Sequence, residues 1–186
     1  MFDTSEELLR QIAVGEDSSL ELKDLRFKGD RVSDPHSHSM ADELVAMANT
    51  ANGVFVLGVD DTTRSVVGIP EEMLDIVETW VRNICNDLIE PPLTCRIRKT
   101  YLPAMDGTQR VVIRIDIPRS LYVHKSPNGY FQRIGSSKRQ MPPDLLARLF
   151  QQRSQAWVIR FDEQPVPDAP IECLERELWQ RFRTPL

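Results

Sequence analysis

The chain of 186 residues has only three cysteines, Cys85, Cys95 and Cys173, and none stands in a CxxC pair. Neither a disulfide framework nor a cysteine-ligated zinc site is therefore indicated. Long apolar runs are missing as well, so nothing in the sequence is suited to cross a bilayer. The N-terminus, MFDTSEELLR, is acidic and amphipathic and does not read as a signal peptide. The expected location is the cytoplasm, with no membrane partner. Neither GxxxxGK[ST] nor GxGxxG occurs, which removes the P-loop and the dinucleotide fingerprint. Internal repeats and low-complexity runs are absent too.

What is present is the composition of an ordinary globular domain, 41% hydrophobic and 27% charged. The net charge of −5 is unevenly spread. Residues 91–148 carry 11 Lys+Arg against 3 Asp+Glu, a local +8, and the remainder carries 12 against 25, a local −13. An acidic chain with one basic region can still hold a polyanion there. The plainer reading is a solvated face balanced by acidic neighbours.

The stretch MADELVAMANTANGVFVLGVDD, residues 40–61, organises the chain. Met40, Leu44, Val45, Met47 and Ala48 recur at helical spacing, and Asn52-Gly53 is expected to supply left-handed residues that end the helix. Residues 54–59 are almost unbroken apolar sequence, the signature of a central strand covered on both faces. Upstream, Thr4 and Glu7 form a capping-box pair, Leu8, Leu9, Ile12 and Ala13 form an amphipathic helix, and Gly15 stops it. Residues 20–25 read as a strand with Leu20 and Leu22 on one face and Glu21 and Lys23 on the other. Residues 28–39 read as a polar loop.

Downstream, residues 64–69 read as a short return strand. Pro70 opens a helix whose apolar stripe, Met73, Ile76, Val77, Trp80, Val81, Ile84 and Leu88, needs a sheet to lie on. Pro91-Pro92 ends it. Residues 95–102 and 109–117 alternate as a hairpin, which would set Arg96, Arg98 and Arg114 on one outer face. A second hairpin is expected between 121–125 and 129–134, followed by a helix from Pro142-Pro143-Asp144 with Leu145, Leu146, Leu149 and Phe150. Prolines 165, 167 and 170 mark a linker, and a last helix carries Ile171, Leu174, Leu178, Trp179 and Phe182. Two regions are expected, 1–153 as a domain and 154–186 as a linker and helix.

Three constellations could carry chemistry. Glu16, Glu21 and Asp60 would converge if the strand of Glu21 borders the central one. Three close carboxylates suit a hard cation, magnesium or manganese, and activated water. The plainer reading is caps and solvated charges. Gly135-Ser136-Ser137-Lys138-Arg139 offers backbone N–H groups, hydroxyls and two cations to a phosphate, or simply a hairpin exit that caps the next helix. His36, His38 and His124 are available metal-type side chains, read as ordinary solvated residues. Tyr122, Tyr130 and Phe131 interleave with Lys125 and Arg133, as stacked bases would need, although alternating aromatics in a hairpin more often belong to a core.

The segments GEDSSLELKD, AMANTANGVFVLGVDD with VVGI, and GYFQRIGSSKRQM in this order resemble the Schlafen AlbA-like (AlbA_2) domain over most of the chain. Leu22 stands where the family usually has Phe, and Asn52 where it has the first Gly of a pair. The resemblance implies an α+β fold, a mixed β-sheet with helices packed on it, and a nucleic-acid-binding role toward DNA or RNA. It also implies the N-terminal part of a longer transcriptional regulator, catalogued among divergent AAA or ATP-binding proteins, with 154–186 leading into a further C-terminal region, and makes self-association an expectation. In animal relatives that cleave RNA, the counterparts of Glu16, Glu21 and Asp60 form the nuclease site.

The leading expectation is a binding module using phosphate contacts from Lys23, Arg96, Arg98, Arg114, Lys125, Arg133, Ser136, Ser137, Lys138 and Arg139. The alternatives are a metal-dependent endoribonuclease at Glu16, Glu21 and Asp60, and an ATP-binding or protein-interaction domain. No cofactor is fixed by the sequence beyond magnesium or manganese for the cleavage alternative.

Overall fold

The computed structural model describes Phe2 and residues 4–155. The expected linker and last helix lie outside the described residues. The fold is α+β. A four-stranded mixed sheet forms from β1 (Leu20–Lys23), β4 (Gly53–Leu57), β6 (Gln109–Ile117) and β5 (Arg96–Pro103), in that order. β1 runs parallel to β4, and the other pairs are antiparallel. Two small hairpins stand apart from it, β2 (Arg26–Phe27) with β3 (Val32–Asp34), and β7 (Phe131–Ile134) with β8 (Ser137–Gln140).

Strand β4 is buried along its whole length because it serves two cores at once. Its Val54 and Val56 pack with Leu20, Leu22, Val112 and helix α1 (Ser5–Val14). Its Phe55 and Leu57 pack with Ile113, Ile115, helix α2 (Ser37–Thr50) and helix α3 (Leu74–Asn83), which continues into a π-helical turn, Ile84–Leu88. Helix α1 starts on the expected capping box, Thr4 Oγ1 accepting from Glu7 N–H and Glu7 accepting from Thr4 N–H. The return segment makes one bridge, Val59 to Val66.

Helix α2 is buried almost all round, so its polar residues act as internal pins. Asn49 clamps the backbone of His124, donating to its carbonyl at 2.8 Å and accepting from its N–H at 2.9 Å. Asp42 accepts from Ser126 Oγ at 2.6 Å and Asn128 Nδ2 at 3.0 Å. From helix α4 (Pro143–Gln155), Arg153 donates to the carbonyls of Ala48 and Asn49, both at 2.9 Å, and satisfies the end of α2.

Four expectations are corrected here. Helix α2 does not end on left-handed residues: Ala51 has φ −153 and the chain runs directly into β4. Gly53 is required for a different reason, because a Cβ there would fall 2.2 Å from Met47 Sδ. Residues 28–39 are not a plain loop. They hold most of the β2–β3 hairpin, and α2 begins at Ser37, with His36 Nδ1 accepting from His38 N–H at its cap. The expected 121–125/129–134 hairpin is replaced. Ser126 and Gly129 do close a tight turn, but residue 124 is held by Asn49, and 131–134 pair instead with 137–140. Consequently the segment 135–139 is not a helix cap. Gly135 (φ +59) and Ser136 form the hairpin turn, and Ser137, Lys138 and Arg139 are already in β8. Their backbone groups serve the ladder rather than a phosphate nest.

Candidate functional site

The ionisable side chains gather where β1, α2 and β7 meet. Glu21 faces the α2 side of the sheet at the edge strand β1 and is only 2% exposed. Its Oε1 takes Lys23 Nζ at 2.8 Å and its Oε2 takes Arg133 Nη2 at 2.5 Å. Glu16, just beyond the stop of α1, accepts from Leu22 N–H at 2.9 Å and lies 3.9 Å from Lys23 Nζ. Asp61 reaches the same ammonium at 3.8 Å. Lys23 thus stands inside a ring of three carboxylates. Burial alone would pull its pKa down, but Glu21, Glu16 and Asp61 together outweigh burial and hold it above the ordinary lysine value. Glu16 is pushed up, first by burial and then by Glu21.

Arg133 is wholly internal. It donates from Nε to the Asp17 carbonyl at 2.7 Å and from Nη2 to the Leu20 carbonyl at 3.1 Å, tying β7 to the entry of β1. Its Nη1 is buried with no hydrogen-bond partner, and Glu43 Oε2 lies 3.6 Å away. Lys138 completes the cluster, 3.4 Å from Glu43 and 3.7 Å from Asp42. Burial raises the Glu43 pKa and Glu21 adds to it, against Lys138.

The structure therefore brings Glu16 and Glu21 together, as their spacing suggested. Asp60 is used differently. Its Oδ1 accepts from the N–H groups of Thr62 and Thr63 and from Thr63 Oγ1, closing its own turn, and these bonds hold its carboxyl below the usual range. The neighbouring Asp61 is the residue whose carboxylate joins Lys23. Glu43 and Asp42 were not among the expected residues. The signal was there: two adjacent acids interrupting the otherwise apolar run 40–48 of a helix.

A divalent cation does not fit this arrangement. Both oxygens of Glu21 are engaged by cationic side chains, and Lys23 occupies the space between Glu21, Glu16 and Asp61. Among the described residues no three His, Cys, Asp or Glu side chains are placed to hold a metal ion. His124 is not solvated: it is 1% exposed, with ring nitrogens on Pro91 O at 2.7 Å and Ser120 Oγ at 2.6 Å. His36 and His38 are exposed, as read from the sequence.

The expected basic surface is divided. Arg96, Arg98 and Arg114 do share a face, the one that carries α1, and all three line a cavity of about 550 Å³. There Asp116 accepts from Arg98 at 2.6 Å and from Arg114 at 2.7 Å. Arg133 and Lys138 belong to the opposite, α2 side. Five of the expected cationic contacts, Lys23, Arg98, Arg114, Arg133 and Lys138, are thus paired with carboxylates. Arg96, Lys125 and Arg139 are exposed, with no ion-pair partner among the described residues, and Ser136 and Ser137 are exposed on the hairpin tip.

Comparison with known proteins places this geometry in context. The family model "Schlafen, AlbA_2" matches residues 16–142. The Poxin-Schlafen protein of cowpox virus (strain Brighton Red) is 25% identical over 120 residues, 57% of this chain and 24% of that protein. The chain thus spans about a quarter of the length of that curated relative. Among solved structures, the DIP2311 protein of Corynebacterium diphtheriae is similar with a TM-score of 0.47 and 22% identity, over 67% of this chain and 22% of that one. No helix among the described residues is long and apolar enough to cross a membrane.

Proposed function

The chain belongs to the Schlafen, AlbA_2 family, and we propose that it is a nucleic-acid-binding module of a longer regulatory protein, one that grips the phosphate backbone and does not cleave it. The observation that carries this reading is the β7–β8 tip. Ile134, Gly135, Ser136, Ser137 and Arg139 all face solvent there. Behind the tip, Arg133 anchors the hairpin internally, so the exposed end is presented on a rigid base. Arg139 supplies charge and Ser136 and Ser137 supply hydroxyl donors, the usual phosphate-contact set. Arg96 and Lys125 are the other expected contacts that have no carboxylate partner among the described residues.

With three of the eight expected cationic contacts left unpaired among the described residues, the salt dependence expected of this surface is shallow. Neutralising about three phosphates gives a slope of log K against log salt of about −2 to −3, far from the roughly −7 that eight free cations would give. Fluorescence anisotropy with labelled RNA and DNA, single-stranded and duplex, at several salt concentrations measures this. Arg139→Ala is expected to weaken binding about 3- to 10-fold on every sequence tried, about 1 kcal/mol. Binding indifferent to salt, or none at low salt, overturns the reading.

Cleavage is the rival. It would need the Glu16–Glu21 pair to exchange Lys23 and Arg133 for a divalent cation. Manganese-dependent cutting of a structured RNA by the wild type, lost in Glu21→Gln, would establish it against the present proposal.

A further inference from the structure

Cys85 and Cys95 are ten residues apart in sequence and adjacent in space. Cys85 lies in the π-helical turn after α3 and is buried. Cys95 immediately precedes β5 and is partly exposed. Both thiols are free, and their sulfurs stand 3.7 Å apart. The connecting segment already folds back on itself, with Leu93 N–H donating to the Cys85 carbonyl at 3.0 Å. Bringing the sulfurs to the roughly 2.0 Å of a disulfide therefore needs a local adjustment and no movement of a distant element.

The two thiols are not equivalent. Cys95 is partly exposed and packs beside Ile97 against the core on the α2 side of the sheet, whereas Cys85 is buried within that core. A small electrophile therefore reaches Cys95 more readily than Cys85.

We propose that Cys95 and Cys85 form a peroxide-oxidisable dithiol, with Cys95 the thiol that attacks peroxide and Cys85 the resolving thiol. The Cys95 thiolate attacks one peroxide oxygen, the O–O bond breaks, and the departing hydroxide takes a proton and leaves as water. The sulfenic acid formed is then attacked by the Cys85 sulfur. The S–O bond breaks, a second water leaves with the Cys85 proton, and the S–S bond forms. Two thiols lose two electrons, and one peroxide becomes two waters. The hydrogen bond between the thiols supports this division, holding Cys95 below its ordinary range while it and burial push Cys85 up.

The test uses the full chain, reduced, treated with hydrogen peroxide, alkylated and digested with trypsin. Cleavage after Arg82 and Arg96 releases residues 83–96 as one peptide that carries both cysteines and no internal Lys or Arg. The expected result is that peptide two hydrogens lighter and unalkylated, returning to two alkylated cysteines after dithiothreitol. In Cys85→Ser, dimedone traps a sulfenic acid on Cys95, whereas in Cys95→Ser, Cys85 stays reduced. The proposal is overturned if the wild-type peptide stays doubly alkylated under peroxide that consumes free glutathione. It is equally overturned by a Cys95–Cys173 bridge, or by over-oxidation of Cys95 without an S–S bond. The wild-type mapping needs no variant, so a poorly folding mutant does not blunt it.

Discussion

Arg133 offers the sharpest test of how this domain uses its charge, because sequence and structure assign it opposite jobs. By sequence it is a phosphate contact. In the fold its side chain is 0% exposed and bonded to the carbonyls of Asp17 and Leu20 and the carboxylate of Glu21. Arg133→Met keeps the aliphatic bulk and deletes the charge. It removes the donor to the Asp17 carbonyl and one of two donors to the Leu20 carbonyl, about 1 kcal/mol each at most, and one of the two cations on a buried carboxylate. Breaking a buried pair from one side costs about 3–5 kcal/mol, and Lys23 at 2.8 Å still serves Glu21, so about 4 kcal/mol in total is expected. For a domain of this size that lowers Tm by roughly 8–16 °C. Urea unfolding followed by far-ultraviolet circular dichroism reads the loss, with an unchanged m value. Glu21→Gln alone should cost less, since Arg133 retains both carbonyls, and the double variant should show a coupling of about 2 kcal/mol. The reasoning fails if Arg133→Met stays within about 1 kcal/mol of wild type, and fails outright if that stable variant loses nucleic-acid affinity.

Glu43→Gln probes the same cluster through pH. Its raised carboxyl pKa means the folded state gains from the protonated form below about pH 4 and loses that gain as pH rises through the folded pKa, so the Tm of the variant should climb relative to wild type between pH 4 and 7; a widening wild-type advantage at neutral pH would show that Lys138 and Arg133 dominate. Gly53→Ala should cost about 1–3 kcal/mol through collision with Met47, and Met47→Ala in the same chain should recover part of it, as thermal unfolding would show. Asn49→Leu removes both bonds to His124, and hydrogen exchange should then rise across residues 120–133 before anywhere in the sheet; uniform protection would refute the clamp.

The fold was legible where period and burial agree. The run of residues 54–59 announced a doubly covered strand because no polar residue interrupts it, and the stripe from Met73 to Leu88 announced a helix needing a sheet. Legibility failed where a local pattern was overruled by a distant partner. Residues 121–125 look like half of a hairpin, yet Asn49, some 75 positions away, takes the backbone groups that a neighbouring strand would have used. Turn chemistry at Ser126–Gly129 was read correctly and its consequence was not, because a tight turn does not oblige its flanks to pair. The site divides in the same way. Glu16 and Glu21 are near in sequence and were found together. Asp61 stands beside the expected Asp60 at the end of β4, and only the turn there decides which of the two faces Lys23; Glu43 enters only through the packing of α2, which no spacing rule expresses.

The basic region shows why an inventory of charge is not a measure of available charge. A local +8 over residues 91–148 suggests a continuous cationic face. Yet β6 places Asp116 two residues from Arg114 and opposite Arg96, so one carboxylate engages two of the three arginines there. On the other side of the sheet, Lys138 and Arg133 meet acids from the acidic part of the chain, Asp42 and Glu43 on α2 and Glu21 on β1. The sequence separates the signs and the fold recombines them. The Arg133–Glu21 pair, buried on both sides, resists exchange with a phosphate, because a ligand that took the cation would leave a desolvated carboxylate behind. Affinity for a polyanion must then come from the minority of cations that the fold leaves unpaired, and the internal pairs contribute by fixing the hairpin that presents one of them.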